Sequence, residues 1–292
     1  MPPIRLLAAV AIAVAATALL AACATPRPSP WEARLRGDAV VLLGEVHDNA
    51  ALQRRRLAVL ERAIDAGWRP AIVMEQFDRE RQADIDRARR ERPLDAQHVV
   101  DLAGAPGWDW ALYRPVVDLA LRRGLPLVAG DLSNADTTRI VRQGIAAVFD
   151  GAGIDRLGLD RRIEPAWQSA QEREIDAGHC HALPPDLWPR MARAQFARDA
   201  VLARAVTDHA GGGVVLLAGN GHVRRDFGVP RWLAIDPRRV LAVGFLEDGD
   251  ESTPVAAFDA VVRAAPAERE DPCEAFRRRQ PPAGPRPVLS AS

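Results

Sequence analysis

Five short and almost uninterrupted apolar runs, at 39–43, 71–74, 125–129, 214–217 and 240–245, alternate with stretches of helical periodicity. Runs this short, without the polar alternation of a half-exposed strand, suit strands buried on both faces. After the first run, Leu52, Val59, Leu60, Ala63 and Ile64 recur at the spacing of one helix face. The Arg- and Asp-rich stretch 79–91 reads as an exposed helix, and a helix through Val116, Leu119 and Ala120 stops at Gly124 before the third run. Strands joined by helices need crossover connections, which make neighbouring strands parallel. The expected fold is therefore α/β, with a mainly parallel β-sheet flanked by helices.

The interval 151–209 breaks this rhythm, since it holds helical stretches and no convincing strand. It reads as a smaller helical lobe inserted before the fourth strand. With 292 residues, 48% of them hydrophobic, the chain can bury one large core, or one core and a small lobe. The Pro- and Gly-rich stretch beyond 265 reads as a tail. The expected organisation is a signal peptide at 1–22, a linker at 23–34, a folded domain at 35–265 and a Pro/Arg-rich tail at 266–292.

The start of the chain bears on location. Arg5 is the only charge before an apolar run to Leu20, followed by Ala21, Ala22 and Cys23, then by Pro26, Pro28 and Pro30. The run is short for a membrane span and reads as an export signal. The small-small-Cys ending resembles a bacterial lipobox, in which Cys23 becomes the lipid-carrying N-terminus. A lipoprotein facing the periplasm of a bacterial cell envelope, held to the inner or outer membrane by that lipid, is the expectation. Cys180 and Cys273 would then meet an oxidising compartment, where they form a disulfide or remain as free or metal-binding thiols. The 39 basic and 39 acidic residues cancel, which is no footprint for nucleic acid. Every basic residue is Arg, so any cation meeting a carboxylate ligand is a bidentate, permanently charged guanidinium.

Ligands of open parallel sheets gather at the carboxyl ends of the strands. There the first run enters Gly44, Glu45, Val46, His47; the second enters Glu75 and Gln76; the third leads to Asp131; the fourth leads to Gly219, Asn220, Gly221, His222. Gly-x-x-His occurs twice. Carboxylates and imidazoles beside Gly-rich turns bind metals, perform acid-base chemistry or recognise polar ligand edges. His98, inside a helical stretch, and His209, at the end of one, read as surface or capping residues. The chain has no phosphate loop, dinucleotide fingerprint or Gly-x-Ser-x-Gly elbow, which removes nucleotide and serine-hydrolase readings.

The strings LLGEVHDN and LAGNGHVRRDFGVP, with MEQF between them, resemble the Tiki/TraB/ChaN/erythromycin-esterase superfamily, and most of all its ChaN branch of haem-binding lipoproteins associated with iron uptake. The resemblance covers most of 35–265. It implies a large parallel α/β lobe with a smaller helical lobe, a tyrosinate on ferric haem iron, side chains on the propionates, and two chains enclosing the cofactors as a homodimer. The only tyrosine, Tyr113, lies in WDWALYRP beside Arg114. On this reading Tyr113 ligates iron, and Arg114 or another Arg meets the propionates in the absence of any Lys. Glu45, His47, Glu75 and His222 complete the cofactor site. The alternative within the superfamily is a hydrolase, an esterase or protease, in which Glu45, His47 and His222 activate water directly or on a divalent metal.

Overall fold

The computed structural model describes residues 29–36, 40–271, 273–274 and 278. The signal, the lipobox and Cys23 lie outside them, as does most of the tail. Among the described residues no helix is long and apolar enough to cross a membrane.

Six strands form one sheet: β1 (Val40–Leu43), β2 (Ala71–Asp78), β3 (Leu127–Asp131), β4 (Val214–Leu217), β5 (Val240–Glu247) and β6 (Ala260–Ala264), in the spatial order β3-β2-β4-β1-β5-β6. Every pairing is parallel, so the sheet is parallel throughout. The first helices in the chain are α1 (Pro30–Arg34), α2 (Ala50–Asp65), α3 (Gln82–Glu91), α4 (Ala96–Ala103) and α5 (Trp110–Arg122). They are followed by α6 (Asn134–Gln143), α7 (Gly151–Leu157), α8 (Pro165–Gly178), α9 (Trp188–His209) and the single turn α10 (Asn220–Val223).

Alternation along the strands divides the core. Val41, Leu43, Ile72, Met74, Val215 and Leu217 face the side covered by α2 and α5. Val40, Leu42, Val73, Val214 and Leu216 face Leu202, Ala203 and Val206 of α9. These strand side chains are fully buried, each contributing about 1.5–3 kcal/mol relative to exposure. Leu43 pairs with Leu217, and Met74 pairs with the same Leu217. The residues that follow, Gly44, Ala218 and Glu75, therefore leave the sheet at one level.

Three details differ from the sequence reading. A sixth strand, β6, lies at the sheet edge and is half-buried along most of its length, so it lacks the bare apolar run that marks the others. The third strand sits two residues further on than the run suggests and reaches Asp131. The inserted lobe is also smaller than 151–209: α9 belongs largely to the sheet, which it covers through Leu202, Ala203 and Val206, while its earlier turns pack Ala194 and Ala197 on Ile140 and Phe149. A disulfide joins Cys180, just beyond α8, to Cys273.

Candidate functional site

Three adjacent central strands, β2, β4 and β1, deliver Glu75, the Gly219–His222 turn and the Gly44–His47 turn to one edge. The two Gly-x-x-His turns pack reciprocally. A Cβ on Gly44 would collide with Asn220 Oδ1, and a Cβ on Gly219 would lie 2.9 Å from His47 Cε1. Glycine at each position lets the other turn's side chain approach. Asn220 uses the space to bridge to β5, donating to the Phe245 carbonyl (2.7 Å) and accepting from its N–H (3.0 Å).

Glu45 is the hub of one buried cluster. Its Oε1 accepts from His47 Nδ1 (2.7 Å), the Tyr113 hydroxyl (2.7 Å) and Gln76 Nε2 (3.2 Å). Arg56 Nη2 sits against Oε2 as a close ion pair without hydrogen-bond alignment. Burial pushes the Glu45 carboxyl up, but Arg56 and His47 more than reverse this and hold it below its ordinary range. Burial opposes charge on His47, whereas the Glu45 hydrogen bond and the nearby Glu75 raise its pKa. Because a carboxylate only accepts, the ring proton sits on Nδ1 and the neutral imidazole carries its lone pair on Nε2. The side chain is 52% exposed, and Trp108 meets its ring edge-on at 4.9 Å.

The second cluster is a chain of ion pairs. Asp131 accepts from Arg198 Nε (3.1 Å), Glu75 Oε1 from Arg198 Nη2 (2.8 Å), and Glu75 Oε2 from the Gly219 N–H (2.6 Å). His222 Nδ1 donates to Asp199 (2.6 Å) and its Nε2 lies 3.5 Å from Glu75. Burial opposes the imidazolium, but the Glu75 and Asp199 carboxylates raise His222 to about 10. Burial raises Asp199 to about 6. Glu75 is held well below its ordinary range: burial opposes this, and the His222 and Arg198 charges outweigh it.

This arrangement predicts a pH dependence. His222 binds its proton more tightly in the folded chain, about 10 against 6.5, so its contribution is complete below pH 6.5 and is lost as pH rises through 10. Stability should fall between pH 7 and 9 by an amount on the order of 2 kcal/mol. Urea midpoints measured across that window should drop for the wild type and much less for His222→Asn. Equal slopes would show that the imidazolium is not the cause.

The clusters line two hollows that meet at His47. One, of about 850 Å³, is bounded by Glu45, His47, Glu75, Arg198 and His222, with Ile175 and Phe227 as apolar wall and Arg269 at its border. The other, of about 370 Å³, shares His47, Glu75 and Arg198 and adds Trp108 and Asp131. A separate cavity of about 660 Å³ runs along β3 beside Phe149 and Val201 and contains none of Glu45, His47, Glu75 or His222.

The structure thus brings Glu45, His47, Glu75 and His222 together, and sets other expected residues apart. Tyr113 borders the smaller hollow but is 1% exposed; its hydroxyl hydrogen is shared between Glu45 and the His47 carbonyl (3.1 Å). Burial, then Glu45, raises the pKa of this phenol, so the phenol keeps its proton in the arrangement described here. Arg114 is exposed, donates to Gln97 (3.3 Å) and lies outside both hollows. His98 bonds Glu91 (2.8 Å) and His209 its own helix at Ala205 (2.8 Å). Arg56, Arg198, Asp199 and Arg269 were not anticipated. Among the described residues no group of three His, Cys, Asp or Glu side chains is arranged to hold a metal ion.

A family model described as "Haem-binding uptake, Tiki superfamily, ChaN" matches residues 31–233. The chain belongs to this family. No curated protein matches it. Among solved structures it is similar to ChaN of Campylobacter jejuni, described as showing cofacial heme binding, with 19% identity over 79% of this chain and 89% of that one and a TM-score of 0.64. It is also similar to the erythromycin esterase EreC in its open conformation, with 14% identity over 77% and 76% and a TM-score of 0.44. The ChaN likeness is one of fold. The family's matched span includes both Gly-x-x-His turns, Glu75 and the helices carrying Arg56, Tyr113 and Arg198, while Arg269 falls beyond it.

Proposed function

We propose that this chain binds haem in the hollows at the carboxyl edge of its sheet and handles it for iron uptake, as a lipid-anchored protein of the bacterial envelope. One observation carries the reading: the span shared with a haem-binding family contains nearly every side chain that builds these hollows. The residues fit such a guest. A volume of about 850 Å³ lies within the rough 300–1,000 Å³ of cofactor cavities. Phe227, Ile175 and Trp108 supply apolar wall, and the strand ends an imidazole. Haem, when bound, supplies an iron centre and two carboxylates. The chain's own residues hold the macrocycle, exclude water from its face and fix the donor.

Hemin titrated into the purified full chain should give a saturable Soret change. A spectrum that remains that of free hemin throughout would overturn the proposal. One feature favours a second reading in that event. The Glu45–His47 pair leaves an imidazole nitrogen open, as general-base hydrolysis requires, and turnover of ester or peptide probes lost in His47→Ala would establish it.

A further inference from the structure

We infer that the cavity along β3 is a separate binding site, and that it takes an acyl-chain carboxylate whose chain lies along the strand edge and whose head group meets Arg89 and Arg156. The inference goes beyond the haem reading and does not depend on it, because none of Glu45, His47, Glu75 or His222 borders this cavity.

β3 is an edge strand of the sheet, and the outward backbone groups of such a strand are open to pairing with another chain. Gln82 takes them. Its Nε2 donates to the Leu127 carbonyl (3.2 Å) and its Oε1 accepts from the Ala129 N–H (2.8 Å), as a further strand would. A peptide therefore finds no ladder to extend at this point, and an apolar guest can cover the edge without burying an unpaired backbone group. Residues 126–130 all line the cavity, a length of about 13 Å at the rise of a strand. Phe149, Leu157 and Val201 add apolar wall, and the volume of about 660 Å³ suits a small-molecule guest.

The polar rim selects the head group. Four guanidiniums and two carboxylates line the cavity, Arg79, Arg89, Arg156 and Arg204 against Asp86 and Asp208. Arg204 is paired with Asp208 (2.7 Å), while Arg79 is paired with Glu80 (2.9 Å) and lies over the Phe149 ring (4.7 Å). Asp86 accepts from the Gln82 amide (3.0 Å). Among the described residues, the Arg89 and Arg156 guanidiniums have neither an ion pair nor a hydrogen bond. They reach the cavity from different elements. Arg89 follows Gln82 and Asp86 on one face of α3, at i, i+4 and i+7, and Arg156 stands in the last turn of α7. A carboxylate accepts from guanidinium donors in the bidentate geometry they favour, whereas an uncharged lipid would leave both unanswered.

The test titrates dodecanoate into the full chain by calorimetry, without detergent and below the concentration at which the probe forms micelles. Wild type should bind one dodecanoate saturably. The double variant Arg89→Gln, Arg156→Gln should bind at least tenfold more weakly at an unchanged melting temperature, since Arg156 is exposed and Arg89 half-buried. Ala205→Trp, which puts an indole where Ala205 lines the cavity, should abolish binding. Dodecanoate carrying a diazirine at the end of its chain should label peptides that contain Phe149 or Val201, and this readout decides the matter if Ala205→Trp fails to fold. No saturable binding by the folded wild type overturns the inference. So does wild-type affinity in the double Gln variant, or a label confined to residues that do not line this cavity.

Discussion

Arg56→Met is expected to destabilise the fold by about 3–5 kcal/mol, the cost of leaving a buried carboxylate without its counter-ion. Arg56 is 1% exposed and its guanidinium serves Glu45, Gln53 Oε1 (2.5 Å) and the Gly44 carbonyl (3.5 Å). Met fills much of the same volume, so packing loss is a minor part of the effect. The Glu45 pKa will rise toward neutrality, and the charge that fixes His47 will weaken with it. The double variant Arg56→Met, Glu45→Gln should recover much of the loss, since a pair removed together leaves no unpaired charge. Urea denaturation of the four chains completes the cycle. A single-variant loss below about 1 kcal/mol would mean that water reaches the pair and that Glu45 is not held as described.

The strand ends were legible because a parallel sheet gathers them whatever the rest of the chain does. Glu45, His47, Glu75 and His222 each follow a bare apolar run, and the register that levels Leu43, Met74 and Leu217 brings them together. What the runs could not reveal is the layer behind. Arg56 closes the string Arg54, Arg55, Arg56, in which composition does not single out the one that faces the core, and Arg198 and Asp199 sit in an ordinary charged pattern. Their burial follows from helix faces turned by tertiary packing. The available signal was weak: Asp199 falls among Ala194, Ala197, Ala200 and Leu202, all buried, where a solvated face would have been polar. Tyr113 and Arg114, adjacent in sequence, are set apart by the helix that carries them. Neighbours in sequence stand about 100° apart around a helix, so an aromatic that faces the core sends the next residue outward, and Arg114 could not share the site of Tyr113.

Cys273→Ser should lower stability by about 2–4 kcal/mol under non-reducing conditions. The bond closes a separation of 93 residues, for which chain entropy alone suggests about 4–5 kcal/mol. Part of that is offset in the folded chain. Cys180 and His181 both hold left-handed backbone angles, φ 59° and 54°, which cost about 1 kcal/mol each for residues with a side chain and can relax once the bond is gone. The segment leading to Cys273 has other anchors. Asn49 Nδ2 donates to the Ala265 carbonyl (2.9 Å), the Ala267 N–H to Glu247 (2.8 Å), and Arg269 to Asp48 (2.8 Å) and Glu247 (2.9 Å). These contacts keep the chain docked as far as Arg269, so β6 should survive the substitution and the loss should appear as a lower unfolding midpoint. Cys180→Ser should give the same loss, and the double variant no more than either single one, because both remove one cross-link. Additive losses would show that each cysteine contributes by packing and that the tail is held by its ion pairs instead.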